Sequence, residues 1–258
     1  MKIIASDYDG TLHHHIGVSP EDRAAIKKWR EAGNLFGIVT GRENSMLKTV
    51  VDEALEIDFV STYNGAEVYD LAQGIDKPQL IARLSNTTHQ MEDMLKLVLP
   101  QEKDWAEVVT PGRTFYFTHG DIPDASRPNW SPLAAAKDIR EFLQIYALYD
   151  SEDRAFQVAK AIEDQYGHLV SPLINWHWVN ATPAGVNKAS GAWAYAQHKN
   201  ISRENIYAVG DSFNDFDMIK AYKGYVMKNA GSAWDTLRAV AVGECARVCE
   251  LIEIEMGK

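Results

Sequence analysis

Apolar positions in the first third of the chain fall into two alternating patterns. Short, unbroken apolar stretches at Lys2–Ala5, Leu35–Val39 and Asp58–Thr62 read as buried strands. Between them the apolar residues recur at helical spacing. Ser19-Pro20-Glu21-Asp22 opens the first such segment: Ser19 suits a cap, Pro20 the first turn, and the two acids the positive helix end. Ala25, Ile26, Trp29 and Ala32 form its stripe, and Gly33 stops it. A second helix is expected over roughly Ser45–Leu55. Strand, helix, strand, helix, strand is the rhythm of a parallel sheet covered by helices.

The rhythm changes near residue 80. Residues 86–99 read as a helix, and 105–110 with 114–118 as strands paired around Pro111-Gly112. Residues 119–132, with Pro123, Pro128 and Pro132, read as a long loop. Leu143–Leu148 reads as a strand, and Ser151–Tyr166 as a helix stopped by Gly167. Residues 168–171 and 174–180 read as a final strand pair. The pattern is α+β, about 100 residues long, embedded in an α/β chain. The α/β rhythm resumes after Thr182-Pro183. A helix follows Lys188, then a strand at Ile206–Val209, a helix over about Asn214–Ala221, strands near 225–227 and 239–242, and a last helix from 244.

Composition narrows the class. The 258 residues carry 26 Lys+Arg against 36 Asp+Glu, a formal charge of −10. So acidic a chain has no global basic field, and nucleic acid is not an expected partner. Apolar runs last only a few residues, too short for a membrane-spanning helix. The N-terminus meets an acid at Asp7 and does not resemble a secretory signal. Two cysteines do not form a disulfide framework. A cytoplasmic protein, not membrane-bound, is the expectation.

Four stretches carry candidate chemistry: Asp7-Tyr8-Asp9-Gly10-Thr11-Leu12, Thr40-Gly41-Arg42, Lys188, and Gly210-Asp211-Ser212-Phe213-Asn214-Asp215. Three of them follow predicted parallel strands, whose carboxyl ends are where open α/β sheets bind ligands. Convergence would gather the carboxylates of Asp7, Asp9, Asp211 and Asp215 in one small volume. Such like charges raise one another's pKa, and a hard cation relieves the repulsion. Oxygen-only ligation suits Mg²⁺. Lys188 adds positive charge and Thr40 a hydroxyl donor, and Gly10 and Gly41 allow backbone N–H groups to approach an anion. A carboxylate can itself attack phosphorus.

In this order and spacing the four stretches resemble the haloacid dehalogenase-like (HAD) phosphatase superfamily. The insertion between the second and third resembles that of its Cof-type (IIB) subclass, as do Asn64-Gly65-Ala66 and Val226-Met227-Lys228-Asn229-Ala230. Lys228 stands where that subclass usually has glycine. The resemblance implies a Rossmann-like α/β core over 1–80 and 183–258, with an α+β cap inserted at 81–182. It implies a Mg²⁺-dependent phosphatase of small phosphorylated metabolites, sugar phosphates among them. Asp7 would be the nucleophile and a metal ligand. Asp9 would be the acid and then the base, offering its backbone carbonyl to the metal. Thr40, the Gly41 amide and Lys188 would hold the phosphoryl oxygens. Asp211 would ligate the metal, while Asp215 and Asn214 orient the metal shell and phosphate, and Thr11 supports the loop. The cap would act as a lid that selects the leaving group. A phosphomannomutase-like mutase and a non-catalytic phosphometabolite sensor are the alternatives. The insertion's paucity of Lys and Arg disfavours the first, and the intact acidic set disfavours the second.

Other features have plainer readings. His13-His14-His15 reads as a solvated loop, with contact to a leaving group as the functional alternative. Cys245 and Cys249, four apart, read as core positions of the last helix. Trp176 and Trp178 read as core residues on one face of a strand, with His177 on the other. His177 and Arg113 are candidate substrate contacts.

Overall fold

The computed structural model describes residues 1–14, 17–101, 104–118 and 130–257. His15 and residues 119–129 of the expected long loop lie outside that set. The chain divides into two compact units, Met1–Arg83 with Asn187–Lys258, and Leu84–Val186.

The first unit is built on an eight-stranded sheet. From one edge its strands are Gly243–Cys245, Lys223–Met227, Ile206–Gly210, Ile3–Ser6, Leu35–Val39, Phe59–Thr62, Glu67–Asp70 and Gln79–Arg83. The first six run parallel, and the last two turn back as an antiparallel edge. Every residue of Ile3–Ser6 and Ile206–Gly210 is buried, as strands covered on both faces require. Alternation sorts their side chains. Ile4, Phe36 and Val209 pack with Trp29 of the helix Pro20–Glu31 and Leu251 of the helix Val248–Glu255. Ile3, Ala5 and Ala208 pack on the other face with Tyr195 of the helix Lys188–His198. Tyr195 also stacks on Phe59, centroids 4.0 Å apart. Ser19 caps the first helix as expected, accepting from the Asp22 N–H.

Chain order reverses at the pair Ile3–Ser6 and Ile206–Gly210. The segment after Ile3–Ser6 builds the sheet to one side, and the one after Lys188–His198 builds it to the other. Asp7 and Asp211 therefore leave neighbouring parallel strands at the switch point, the ligand position of open α/β sheets.

The second unit has a six-stranded sheet in the order Trp130–Pro132, Arg113–Thr118, Trp105–Thr110, Gln144–Leu148, Trp178–Pro183, Val170–Asn175. All neighbours are antiparallel except the first pair. The helices Met91–Val98 and Glu152–Tyr166 pack into one core with Ala106, Phe117, Ile145 and Val179 of that sheet. No described helix of either unit is long and apolar enough to cross a membrane.

Four expectations are corrected. The helix placed at 86–99 begins at Met91, because Asn86–Thr87 pairs as a short strand with Glu141–Phe142. The final strand pair of the second unit is Val170–Asn175 and Trp178–Pro183, so Trp176 and His177 form the turn rather than a strand. Trp176 has φ 56° there and is 59% exposed, and Trp178 is only half-buried and stacks on Tyr146 at 4.4 Å outside the core that holds Val179, so neither is a core residue. The strand placed at 239–242 is Gly243–Cys245, where pairing with Tyr225–Met227 buries Cys245. The last helix starts at Val248 instead of 244, so Cys245 and Cys249 sit on a strand and a helix. Both are free and buried, as packing residues.

Candidate active site

Three carboxylates and one ammonium converge at the switch point. Single carboxylate oxygens of Asp7, Asp211 and Asp215 lie within 4.8 Å of one another. Asp7 follows the strand Ile3–Ser6, and its N–H donates to the Val209 carbonyl at 2.9 Å, which ties the loop to the neighbouring strand. Lys188 Nζ donates to Asp7 Oδ1 at 2.6 Å and to Asp215 Oδ1 at 2.7 Å. It is 1% exposed, so its charge is held by partners rather than by water.

The Lys188 helix reaches this position through a close backbone approach. Asn187 caps it, accepting from the Ser190 N–H. Gly191 sits one turn in, where a Cβ would lie 2.4 Å from Ser61 Oγ and 2.7 Å from the Gly65 Cα. No larger residue fits there without displacing the helix from the strand Phe59–Thr62 and the turn after it.

Asp215 is the fully buried member. Its Oδ2 accepts from the Asp211 and Ser212 N–H groups at 3.0 Å each, and its Oδ1 from Lys188. These bonds hold Asp215 as an acceptor of loop amides and a partner of Lys188. Asp211 accepts a hydrogen bond from Thr11 Oγ1 at 3.0 Å, so Thr11 joins the first loop to the last. Burial pushes the Asp7 carboxyl well above the usual range. Lys188 opposes this, and Asp215 and Asp211 reinforce it. Asp211 is pushed up to about 6 by burial and by Asp215, against Lys188 and Thr11. Burial alone would lower Lys188, but Asp215 and Asp7 outweigh it and raise it. Three carboxylates against one ammonium leave the cluster short of positive charge, and its ligand atoms are all oxygen. This set suits a hard divalent cation.

The other candidates lie around this centre. Asp9 is not in the carboxylate cluster. Arg42 grips it with two bonds, Nε to Oδ2 at 2.8 Å and Nη2 to Oδ1 at 2.6 Å, on the exposed side of the loop. Strand alternation would put residues 7 and 9 on one side, but the strand ends at Ser6 and the chain turns through Gly10 at φ 84°, which carries Asp9 away from Asp7. Arg42 also lies over the ring of buried Tyr8, 4.9 Å from its centroid, and Tyr8 Oη donates to Glu53. Gly10 has φ 84°, and a Cβ there would meet Asp211 Oδ2 at 2.4 Å, so this turn needs glycine. Its N–H donates to the His13 carbonyl at 3.0 Å, so the structure spends that amide on the loop rather than on an anion. Its own carbonyl accepts from Asn229 Nδ2 at 2.7 Å. His13 pairs with Val18 in a short strand and stacks on Tyr8.

Thr40 is buried, and its hydroxyl oxygen accepts from the Arg42 N–H at 3.1 Å. Asn214 accepts from Ser212 Oγ and donates to Asn64 Oδ1 at 3.2 Å. Asn64 has φ 52° and donates its N–H to the Thr40 carbonyl at 2.9 Å, which links the Thr40-Gly41 turn to the Asp211–Asp215 loop. Sequence reasoning assigned no contact to Asn64, Arg42 or Asn229. All three nevertheless lie in stretches that the sequence singles out, Thr40-Gly41-Arg42, Asn64-Gly65-Ala66 and Val226-Met227-Lys228-Asn229-Ala230.

Comparison with known proteins agrees with this geometry. The family description "haloacid dehalogenase-like hydrolase" matches residues 4–237. A 5-amino-6-(5-phospho-D-ribitylamino)uracil phosphatase of Bacillus subtilis is 26% identical, over 89% of this chain and 88% of its own. A pyridoxal phosphate phosphatase of Escherichia coli is 25% identical, over 94% and 93%. Among solved structures, a HAD subclass IIB sugar phosphatase superposes with a TM-score of 0.77 at 18% identity, over 99% of both chains. The chain belongs to the haloacid dehalogenase-like hydrolase family.

Proposed function

We propose that the protein is a Mg²⁺-dependent phosphatase of small phosphorylated metabolites, sugar phosphates among them, acting through an aspartyl-phosphate on Asp7. The observation that supports this most is the convergence of Asp7, Asp211, Asp215 and Lys188 at the ends of adjacent parallel strands. The relatives named above act on an aminouracil ribityl phosphate and on pyridoxal phosphate, both small phosphomonoesters. A cytoplasmic setting suits the two free, buried cysteines.

An Asp7 carboxylate oxygen attacks phosphorus, the bond to the ester oxygen breaks, and the departing alkoxide takes a proton from the Asp9 carboxyl, which has to leave its Arg42 pair to carry one. Asp9 then takes a proton from water as that water attacks the same phosphorus. The phosphorus–Asp7 bond breaks, and inorganic phosphate leaves. Lys188, the Gly41 amide and Thr40 hold the phosphoryl oxygens, and Lys188 offsets the repulsion between the attacking carboxylate and the phosphate. Asn64 and Asn214 keep the Thr40 turn and the Asp211 loop in register. Asp7, Asp211 and the Asp9 carbonyl would hold Mg²⁺, with Asp215 orienting the Asp211 loop. When bound, the cation neutralises phosphoryl charge as a Lewis acid. The inserted unit Leu84–Val186 selects the leaving group.

The test is Asp7→Asn assayed on a panel of phosphate esters with Mg²⁺. Turnover is expected to vanish while the fold, followed by circular dichroism, is kept. Wild-type turnover by the variant would remove Asp7 as nucleophile.

A further inference from the structure

The hairpin that follows the strand Phe59–Thr62 gathers polar side chains on one face of the first unit's sheet. Thr62 is directly opposite Glu67 in the register, and Glu67 is directly opposite Arg83. Tyr69 lies two residues beyond Glu67, so strand alternation puts these side chains on the same side. Glu67 is 1% exposed, and no step of the phosphoryl transfer uses it. Its Oε1 accepts from Arg83 Nε at 2.7 Å, and its Oε2 accepts from Tyr69 Oη at 2.7 Å and from Asn44 Nδ2 at 2.9 Å. Donors on both oxygens make a buried carboxylate tolerable there, and they also fix where it points.

Asn44 relays this grip to the turn of the hairpin. Its Oδ1 accepts from Thr62 Oγ1 at 3.0 Å, and its backbone N–H donates to Tyr63 Oη at 3.4 Å. Its side chain makes no cap bond to the helix Ser45–Asp52 beside it; both ends of the amide are committed to the hairpin. The turn so held is one that side chains resist. Tyr63 and Asn64 are consecutive left-handed residues, at φ 51° and 52°. Such strain persists only where the surroundings fix it, and it gathers at functional sites. The Tyr63 N–H donates to the Arg42 carbonyl and the Asn64 N–H to the Thr40 carbonyl, at 2.9 Å each. The strained turn therefore carries the stretch Thr40-Gly41-Arg42, and Asn214 meets it at Asn64 Oδ1.

We infer that Glu67 is a positioning residue for phosphoryl transfer: acting through Asn44, it holds the left-handed Tyr63-Asn64 turn on which the Thr40-Gly41 donors are carried. The effect on turnover rests on the phosphatase reading, which assigns those donors to the phosphoryl oxygens. Donors fixed in advance stabilise the transferring group without reorganising, and a displacement of about 1 Å in such a constellation is worth about a hundredfold in rate.

The test reverses one hydrogen bond. Asn44→Asp faces Glu67 with a second carboxylate, and Glu67→Gln turns an N–H either on Arg83 or on Asn44 and Tyr69, so each single variant breaks the link. In the double variant Asn44→Asp/Glu67→Gln, the amide at position 67 donates to the carboxylate at position 44, which still accepts from Thr62, and the total charge is unchanged. Asn44 is exposed, so its substitution leaves the core intact. Wild type and variants are assayed on a panel of phosphate monoesters with Mg²⁺. Orthovanadate, a mimic of the transferring phosphoryl group, is titrated into each by calorimetry. Each single variant is expected to lose about tenfold or more in kcat and in vanadate affinity, at an unchanged Mg²⁺ concentration for half-maximal activity. The double variant is expected to return to within about threefold of wild type. A lowered kcat at unchanged vanadate affinity reports fewer folded molecules rather than a misplaced turn, and overturns the inference. Single variants equal to wild type, a shifted Mg²⁺ requirement, a double variant no better than the singles, or a wild type that binds no vanadate also overturn it. Should the wild type hydrolyse no ester, the phosphatase reading fails and the vanadate titrations alone decide the positioning role.

Discussion

Replacing Lys188 by Met isolates the electrostatics of the site. Lys188 Nζ lies 2.6 Å from Asp7 Oδ1 and 2.7 Å from Asp215 Oδ1, and the three side chains are at most 6% exposed. Met keeps the stem and removes the charge. The cluster then holds three carboxylates and no cation. Removing one partner from a buried ion pair costs about 3–5 kcal/mol, because the remaining charge has no water to fall back on. The loss depends on pH. Asp7 is already raised by burial, and without Lys188 its folded-state pKa rises further above its unfolded value. For an acid shifted upward, ionisation works against the fold. The ionisation part of the deficit is therefore absent while Asp7 is protonated in both proteins, and it grows as pH rises through the wild-type folded pKa toward that of the variant. Part of the deficit should therefore return as the pH is lowered from 8 to 5.5. Urea unfolding of wild type and Lys188→Met at the two pH values measures this. A deficit below about 1 kcal/mol at pH 8, or one equal at both pH values, would refute the reasoning.

Three further outcomes follow from the same structure. Asp211→Asn removes a carboxyl held at about 6, so at pH 8 the metal-free protein should gain roughly 3 kcal/mol, with no gain below pH 4; the Mg²⁺-induced rise in Tm should disappear in the same variant, and an unchanged rise would exclude Asp211 as a ligand. Gly191→Ala places a methyl 2.4 Å from Ser61 Oγ and should destabilise by about 1–3 kcal/mol, which thermal unfolding against wild type checks, with neutrality as the contrary result. Burial pushes the Cys245 and Cys249 thiols up to about 12 and about 11, so neither should react with iodoacetamide at pH 8 until denaturant is added; rapid labelling of the native protein, read by mass spectrometry, would contradict their packing role.

Local signals were most legible where strand and helix patterns agree with their caps. Leu35–Val39 and the Ser19-capped helix Pro20–Glu31 are readable from periodicity and end residues alone. The misplaced elements were set by strand pairing. Gly243–Cys245 pairs with Lys223–Met227 and Asn86–Thr87 with Glu141–Phe142, partners that a short window does not contain. Trp176 is a local case: its apolar side chain suggested a strand interior, yet the hairpin pairing of Asn175 with Trp178 leaves it in the turn.

The candidate site divides along the same line. The residue types and spacing of Asp7, Asp9, Lys188, Asp211 and Asp215 announced acidic, oxygen-rich chemistry at strand ends, because charge and hydrogen-bonding capacity are properties of the residues themselves. The sequence alone therefore determined the α/β class, the large insertion and the chemical inventory. Tertiary structure decided how that inventory is shared out. It put Lys188 between Asp7 and Asp215, set Arg42 on Asp9, spent the Gly10 amide on the loop, and joined Thr40 to Asn214 through Asn64. These pairings span up to 181 positions of chain. They arise from parallel strand register and from a helix seated on glycine, which are relations between segments and not properties of any one of them.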